Sequence, residues 1–188
     1  MRAALDDLEH QPDRISAASW PAHFSRLDSA GLYSWWVDDA GASDLANGLG
    51  HHVSQGRIYA GQTGATVWPS GKERQATLLG RVGRNHLRWS IRSSTFRLTL
   101  ASALREALGL VVEGRQRLEP ASDKTLSKWI ADHLEVAIHP FEERDALADL
   151  ESRVLAELDP PLNIDGRPTT PIRSELTRLR ATLKVVPR

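Results

Sequence analysis

Apolar and polar positions follow two rhythms along this chain. Gly31-Leu-Tyr-Ser-Trp-Trp-Val37 and the shorter run Arg57–Gly61 are rich in β-prone residues, and each predicts a strand. The Gly/Asn/His-rich stretch from Asp38 to Gln55 separates them, so the pair reads as a hairpin with a long connection, of the kind that is functional or mobile. Helical spacing takes over afterwards. Glu73–Leu87 is a weak helix because Gly80 and Gly83 each cost about 1 kcal/mol relative to Ala. Ser93-Ser-Thr95 caps a stronger helix, Phe96–Leu108, which Gly109 closes. Residues 111–121 read as loop, Ser122 and Asp123 cap a helix to Asp132, and Leu134–Ile138 has strand character. Glu142–Leu158 is a helix stopped by Pro160-Pro161, and Ser174–Leu183 forms a short basic helix after the turn at Asp165-Gly166. A short helix also fits Ala3–Glu9. The order β-β-α-α-α-β-α predicts an α/β (α+β) domain, with a small central mixed or antiparallel sheet flanked by helices rather than a doubly wound sheet.

One residue breaks its own pattern. Leu147, Leu150, Val154, Leu155 and Leu158 step by threes and fours into an apolar stripe, and Glu151 lies within it. A carboxylate on a buried face must be paired or hold a cation. Two fates remain open at this point: a salt bridge to one of the many arginines, or ligation of a hard divalent ion.

Composition narrows the field. The 188 residues suffice for one buried domain, and zero cysteines exclude disulfides, thiolate zinc sites and cysteine nucleophiles. No apolar run is long enough to cross a bilayer, and the acidic start MRAALDDLEHQPD is unlike a signal peptide, so a cytoplasmic location is expected. Net charge is zero, with 24 basic and 24 acidic residues, which argues against a protein that simply coats nucleic acid. The charge is segregated, however. Gly71–Arg105 carries eight basic residues against Glu73, Arg167–Arg188 six against Glu175, and Glu142–Asp159 seven acids against two arginines. Basic flanks around an acidic helix suit an enzyme that grips phosphates at its edges and binds a cation at its centre; chance segregation on solvated faces explains the same pattern.

Taken in order, several segments resemble the GIY-YIG nuclease superfamily. Gly31-Leu32-Tyr33 is similar to the GIY element and Tyr59-Ala60-Gly61 to YIG. Leu78-Leu-Gly-Arg81-Val-Gly-Arg-Asn-His86 occupies the place of the family's arginine and following His or Tyr. Glu151-Ser-Arg-Val-Leu-Ala-Glu-Leu-Asp-Pro-Pro-Leu-Asn163 is similar to its metal-binding block. The long gaps between Tyr33 and Tyr59 and between Gly61 and Arg81 resemble members with insertions, some restriction endonucleases among them. His86 follows Arg81 by five residues where an α-helical turn prefers four. Distortion at Gly83 absorbs the extra residue, or Arg84 is the family's arginine.

The resemblance implies a divalent-metal-dependent DNA endonuclease, in restriction, phage defence or repair. Tyr33 acts near the attacking water, Arg81 clamps the phosphate, Glu151 holds one Mg²⁺ or Mn²⁺, Tyr59 and His86 orient water or phosphate, and Asn163 braces the site. Arg84, Arg88, Arg92 and Arg97 are expected to contact the backbone of double-stranded DNA. Trp68 and Trp89 are candidates to stack on bases. Cutting both strands requires a homodimer or two visits. The alternative is a catalytically silent nucleic-acid-binding module on the same fold. Residues 1–30 are read as an N-terminal extension, 31–166 as the catalytic domain and 167–188 as a basic C-terminal extension. Two other signals fail: Gly64–Lys72 has the wrong spacing for a phosphate loop, and His51-His52 has no partner at metal-ligand spacing.

Overall fold

The structure, a computed structural model, describes residues 1–9, 14–20, 27–65, 76–88 and 90–184. Its centre is strand β2 (Gly31–Val37), which pairs antiparallel with β3 (Gly56–Thr63) on one side and β6 (Leu134–Pro140) on the other. The two-residue β1 (Ile15–Ser16) extends the sheet beyond β6, giving the order β1-β6-β2-β3. The sheet is antiparallel throughout, as one of the two expected forms. Because both faces of β2 are covered, six of its seven residues are buried and alternation disappears, which is why it reads as a continuous β-prone run.

Each face has its own core. Tyr33, Trp35 and Val37 point into the larger one, beneath α2 (Asp39–Leu49), the π-helix Leu79–His86, α3 (Thr95–Ala103), α4 (Pro120–His133) and α6 (Pro171–Thr182). Leu32 and Ala137 face the smaller one, closed by Ala4 and Leu8 of α1 (Arg2–Glu9) and by Leu147, Val154 and Leu158 of α5 (Arg144–Leu158). The Ser34 hydroxyl donates to the Leu8 carbonyl at 2.9 Å. Segments set apart by charge and polarity as extensions are therefore packed into the fold: α1 completes one core, and Leu176 and Leu183 enter the other.

Three stretches differ from expectation. The long hairpin connection contains α2, started by Asp38, whose carboxylate accepts the Gly41 N–H at 2.7 Å, and ended by Gly50 at φ 63°. Its glycines and Asn47 suppress helix propensity, but burial of Ala42, Leu45 and Leu49 against the sheet outweighs it. Residues 111–121 hold a small hairpin, β4 (Val112–Gly114) with β5 (Arg117–Leu118), before α4 begins at Pro120. The weak helix expected over Glu73–Leu87 is a π-helix where it is described, with the Leu87 N–H donating five residues back to the Val82 carbonyl at 3.1 Å. Trp68 and Trp89 lie outside the described residues.

Candidate active site

The chain's two tyrosines, Tyr33 and Tyr59, stand on neighbouring strands of the same sheet face. Gly61 pairs opposite Tyr33, and a Cβ on it would lie 2.8 Å from the Tyr33 hydroxyl, so the close approach of ring to backbone demands glycine. Gly31 answers a second approach, since a Cβ there would meet the His139 carbonyl oxygen at 2.3 Å.

The π-helix delivers two side chains to Tyr33. His86 Nε2 lies 2.8 Å from its hydroxyl, and the Arg81 guanidinium comes close enough to the same oxygen to favour its ionised form. The five-residue spacing that strains an α-helix thus suits a helix wound with i→i+5 bonds. His86 itself is fully buried among Tyr33, Trp35 and Phe96, whose ring also meets Tyr59 at 5.0 Å between centroids. Its Nδ1 sits 2.7 Å from the hydroxyl of Ser94, the cap of α3, which accepts the Arg97 backbone N–H at 3.1 Å.

The buried Ser94–His86–Tyr33 chain admits two tautomers. With the imidazole proton on Nε2, Ser94 donates to Nδ1 and His86 donates to Tyr33; with the proton on Nδ1, His86 donates to Ser94 and the Tyr33 hydroxyl donates to Nε2. Each leaves one buried hydroxyl proton without an acceptor among the described residues, at a similar cost of about 1–3 kcal/mol. Burial, reinforced by Arg81 and Arg97, holds the imidazole well below its ordinary pKa and keeps it neutral. Burial raises the Tyr33 phenol, with Arg81 pulling the other way, and raises Tyr59 as well.

Glu151 approaches from α5, on the far side of the sheet edge. Burial lifts its carboxyl to about 7, against the lowering effects of a backbone hydrogen bond from Gln62 and of Arg81. It makes no ion pair among the described residues. Asn163 closes on the Ala60 peptide, accepting its N–H at 2.9 Å and donating to its carbonyl at 2.8 Å, so the turn after Pro160-Pro161 is stitched to the strand carrying Tyr59. Tyr59, Glu151 and Asn163 line a cavity of about 330 Å³; Arg81, Arg84 and Asn85 line another of about 360 Å³. Tyr33 lies buried, bonded to His86 and close to Arg81.

Among the described residues no three His, Asp or Glu side chains are close enough to cage a metal. Mg²⁺ needs no cage: it keeps most of its waters and takes one or two carboxylates. A largely buried carboxyl that burial raises to about 7, near Arg81 yet in no ion pair among the described residues, is the donor such an ion stabilises.

The arginines expected on DNA separate into three groups. Arg84 is exposed beside Arg81, and Arg88 and Arg92 are exposed on a different cavity. Arg97 is corrected. It is fully buried, paired with Asp123 at 3.0 Å, and donates to the carbonyls of His86 and Leu87 at 3.2 Å, so no phosphate can reach it. Its function is to bolt the end of the π-helix to α4.

Two contributors went unnamed in the sequence. One is Ser94, recognised only as part of a helix cap. The other is Arg173, a buried side chain that donates to the carbonyls of Asn163 at 2.7 Å and Pro160 at 3.1 Å and pairs with Asp159 at 2.7 Å. A signal existed for it: Arg173 precedes the buried Leu176 by three residues, so it shares the apolar face of its helix.

A comparison with curated proteins finds no match, and neither does one with solved structures. The family model of the GIY-YIG catalytic domain matches residues 31–182, a span that takes in both tyrosines, the π-helix, Glu151, Asn163 and Arg173. The chain therefore belongs to the GIY-YIG catalytic-domain family, and its activity is of the nuclease type.

Proposed function

We propose that the protein is a divalent-metal-dependent DNA endonuclease whose reactive groups are Tyr33, Arg81 and Glu151. The observation that carries this reading is the Glu151 carboxyl, largely buried near the two tyrosines and Arg81, in no ion pair among the described residues, and raised to about 7. A structural glutamate gains nothing from such a setting, whereas a ligand for a hard cation does. When bound, Mg²⁺ or Mn²⁺ supplies Lewis-acid stabilisation of charge on the leaving 3′ oxygen.

The chain's own groups do the rest. Arg81 turns its remaining N–H donors to the scissile phosphate, for which its planar fork is suited. Water adds to phosphorus and gives its proton to the Tyr33 oxygen as the Tyr33 hydroxyl passes its own proton to His86 Nε2; the bond to the 3′ oxygen breaks, and that oxygen is protonated from solvent. This relay uses the His86 tautomer whose Nε2 is free, and Arg81 beside the phenol favours the departure of its proton, which burial resists. Tyr59 orients water or phosphate from the next strand. Asn163 and Arg173 hold the neighbouring loop in register, and Arg84, Arg88 and Arg92 meet the DNA backbone.

The test is incubation of duplex DNA with the purified protein, with binding and cleavage both measured across Mg²⁺, Mn²⁺ and EDTA. Cleavage only with the metals is expected. Binding without cleavage under any divalent ion would establish the silent-module alternative instead.

A further inference from the structure

We propose that a groove beside the reactive cluster, walled by the β4–β5 hairpin and the start of α4, holds the phosphate backbone of duplex DNA flanking the cut. The inference rests on the nuclease reading above. The groove encloses about 690 Å³, and five cations line it: Arg88, Arg92, Arg115, Arg117 and Lys124. That is five of the chain's 24 lysines and arginines, in a protein with no net charge. Among the described residues one acid joins them, Asp123, and its carboxylate is engaged by buried Arg97 at 3.0 Å. Arg117 pairs with Glu113 at the rim; Arg88, Arg92, Arg115 and Lys124 have no side-chain partner among the described residues. Cations gathered without acids repel one another, and a polyanion removes that repulsion with release of its counterions.

Two features make this a built surface. The hairpin turns through Gln116 at φ 53°, a left-handed conformation that residues with side chains rarely adopt. It is held there by the Gln116 N–H, which donates to the Leu183 carbonyl at the end of α6 at 2.7 Å. Arg115 and Arg117 flank that turn, so the constraint fixes both on the groove wall. Strain of this kind at a tip carrying two cations points to a binding role.

The opposite wall is rigid too, and it leads to the catalytic cluster. Leu87 and Arg88 follow directly on His86, whose imidazole bonds Tyr33. Arg97 ties the His86 and Leu87 carbonyls to Asp123 and to the Ser127 hydroxyl of α4 at 3.0–3.2 Å. A backbone seated in the groove is thereby set in fixed register with the Tyr33 hydroxyl. The groove positions substrate and takes no part in the chemistry.

The test is the salt dependence of binding to a long duplex, measured in EDTA by fluorescence anisotropy, for wild type and Arg115→Gln/Lys124→Gln. Both residues are exposed and unpaired, so the variant keeps its fold. Each lost phosphate contact is expected to reduce the slope of log K against log salt by about 0.9, so the double variant loses about 2 units. In Mg²⁺ its KM for long duplex rises while kcat at saturation stays unchanged. Lys128→Gln, on α4 outside the groove, leaves all three quantities unaltered. An unchanged slope in the double variant, beside a wild type that binds and cuts, overturns the groove alone. A wild type that neither binds nor cuts DNA overturns the nuclease reading and this inference with it.

Discussion

The hydroxyl of Tyr33 lies 2.8 Å from Nε2 of His86, joining the central strand to the π-helix at the one point where Arg81 also arrives. Tyr33→Phe keeps the ring but removes the oxygen that meets both His86 and Arg81. Cleavage is expected to fall by about 10²–10⁴-fold, the span typical of a lost proton-transfer group, with DNA affinity retained. Stability falls by about 1–3 kcal/mol, because the buried Nε2 of His86 is left without its partner. Single-turnover cleavage and urea unfolding of the same preparation check both.

Ser94 is a positioning residue that acts through His86. Ser94→Ala removes the α3 cap, at a cost of about 1 kcal/mol, and also removes the acceptor that holds the imidazole proton on Nδ1 in the relay tautomer. The cleavage rate should therefore drop more than the stability loss explains, while affinity for DNA holds. Ser94→Thr, which keeps the hydroxyl, should restore the rate. The ¹⁵N shifts of His86 report the tautomer directly; the relay predicts a wild-type ring protonated at Nδ1, and one protonated at Nε2 would refute it.

Much of this was legible beforehand, and the remainder has physical reasons. Strands β2, β3 and β6 were clear because bulky β-prone side chains fill both faces of the sheet, whereas β1, β4 and β5 are too short to carry a pattern; Glu151 was clear because a charge interrupted an apolar stripe. Helix α2 was hidden because its glycines weaken propensity and only tertiary burial supports it. The spacing from Arg81 to His86 looked like a defect under α-helical rules, and the π-helix accommodates it. Arg97 misled because residue type cannot separate a surface arginine from a buried one; its place beside Phe96 and Leu98, four residues before Ala101, held the answer.

The pH dependence of stability carries two opposed contributions. His86 is held well below its usual pKa when folded, so the unfolded chain takes up a proton near pH 6.5 that the folded chain refuses. Its contribution is complete above that pH and declines as pH falls beneath it, by up to about 1.4 kcal/mol per unit. Glu151 acts in the other direction, so the comparison belongs in a Glu151→Gln background. There, adding His86→Gln should flatten the acid side of the stability profile between about pH 6.5 and 5.5. An equally steep profile would show that His86 ionises freely.

Glu151 binds its proton more tightly folded, near 7, than unfolded, near 4.5. Its contribution is full below the lower value and is lost as pH rises through the upper one, by as much as roughly 3 kcal/mol. Glu151→Gln should thus be more stable than wild type at about pH 8 in EDTA. Mg²⁺ or Mn²⁺ should raise the melting temperature of wild type and leave the variant unmoved. Thermal unfolding of both proteins, with and without metal, measures this.

Gly61→Ala places a methyl 2.8 Å from the Tyr33 hydroxyl. The ring must shift, at a cost of about 1–3 kcal/mol typical of overpacking, and its oxygen leaves the line between Arg81 and His86. Cleavage should fall nearly as far as in Tyr33→Phe although every reactive group is still present.

The decisive measurement is conversion of supercoiled plasmid by wild type and Glu151→Gln side by side, in Mg²⁺ and in EDTA, once melting curves show both folded. Wild type should cut only with Mg²⁺, and Glu151→Gln should fail in either condition while still retarding the plasmid on a gel. Cutting by wild type in EDTA, or by Glu151→Gln at the wild-type rate, would contradict a divalent ion held at Glu151.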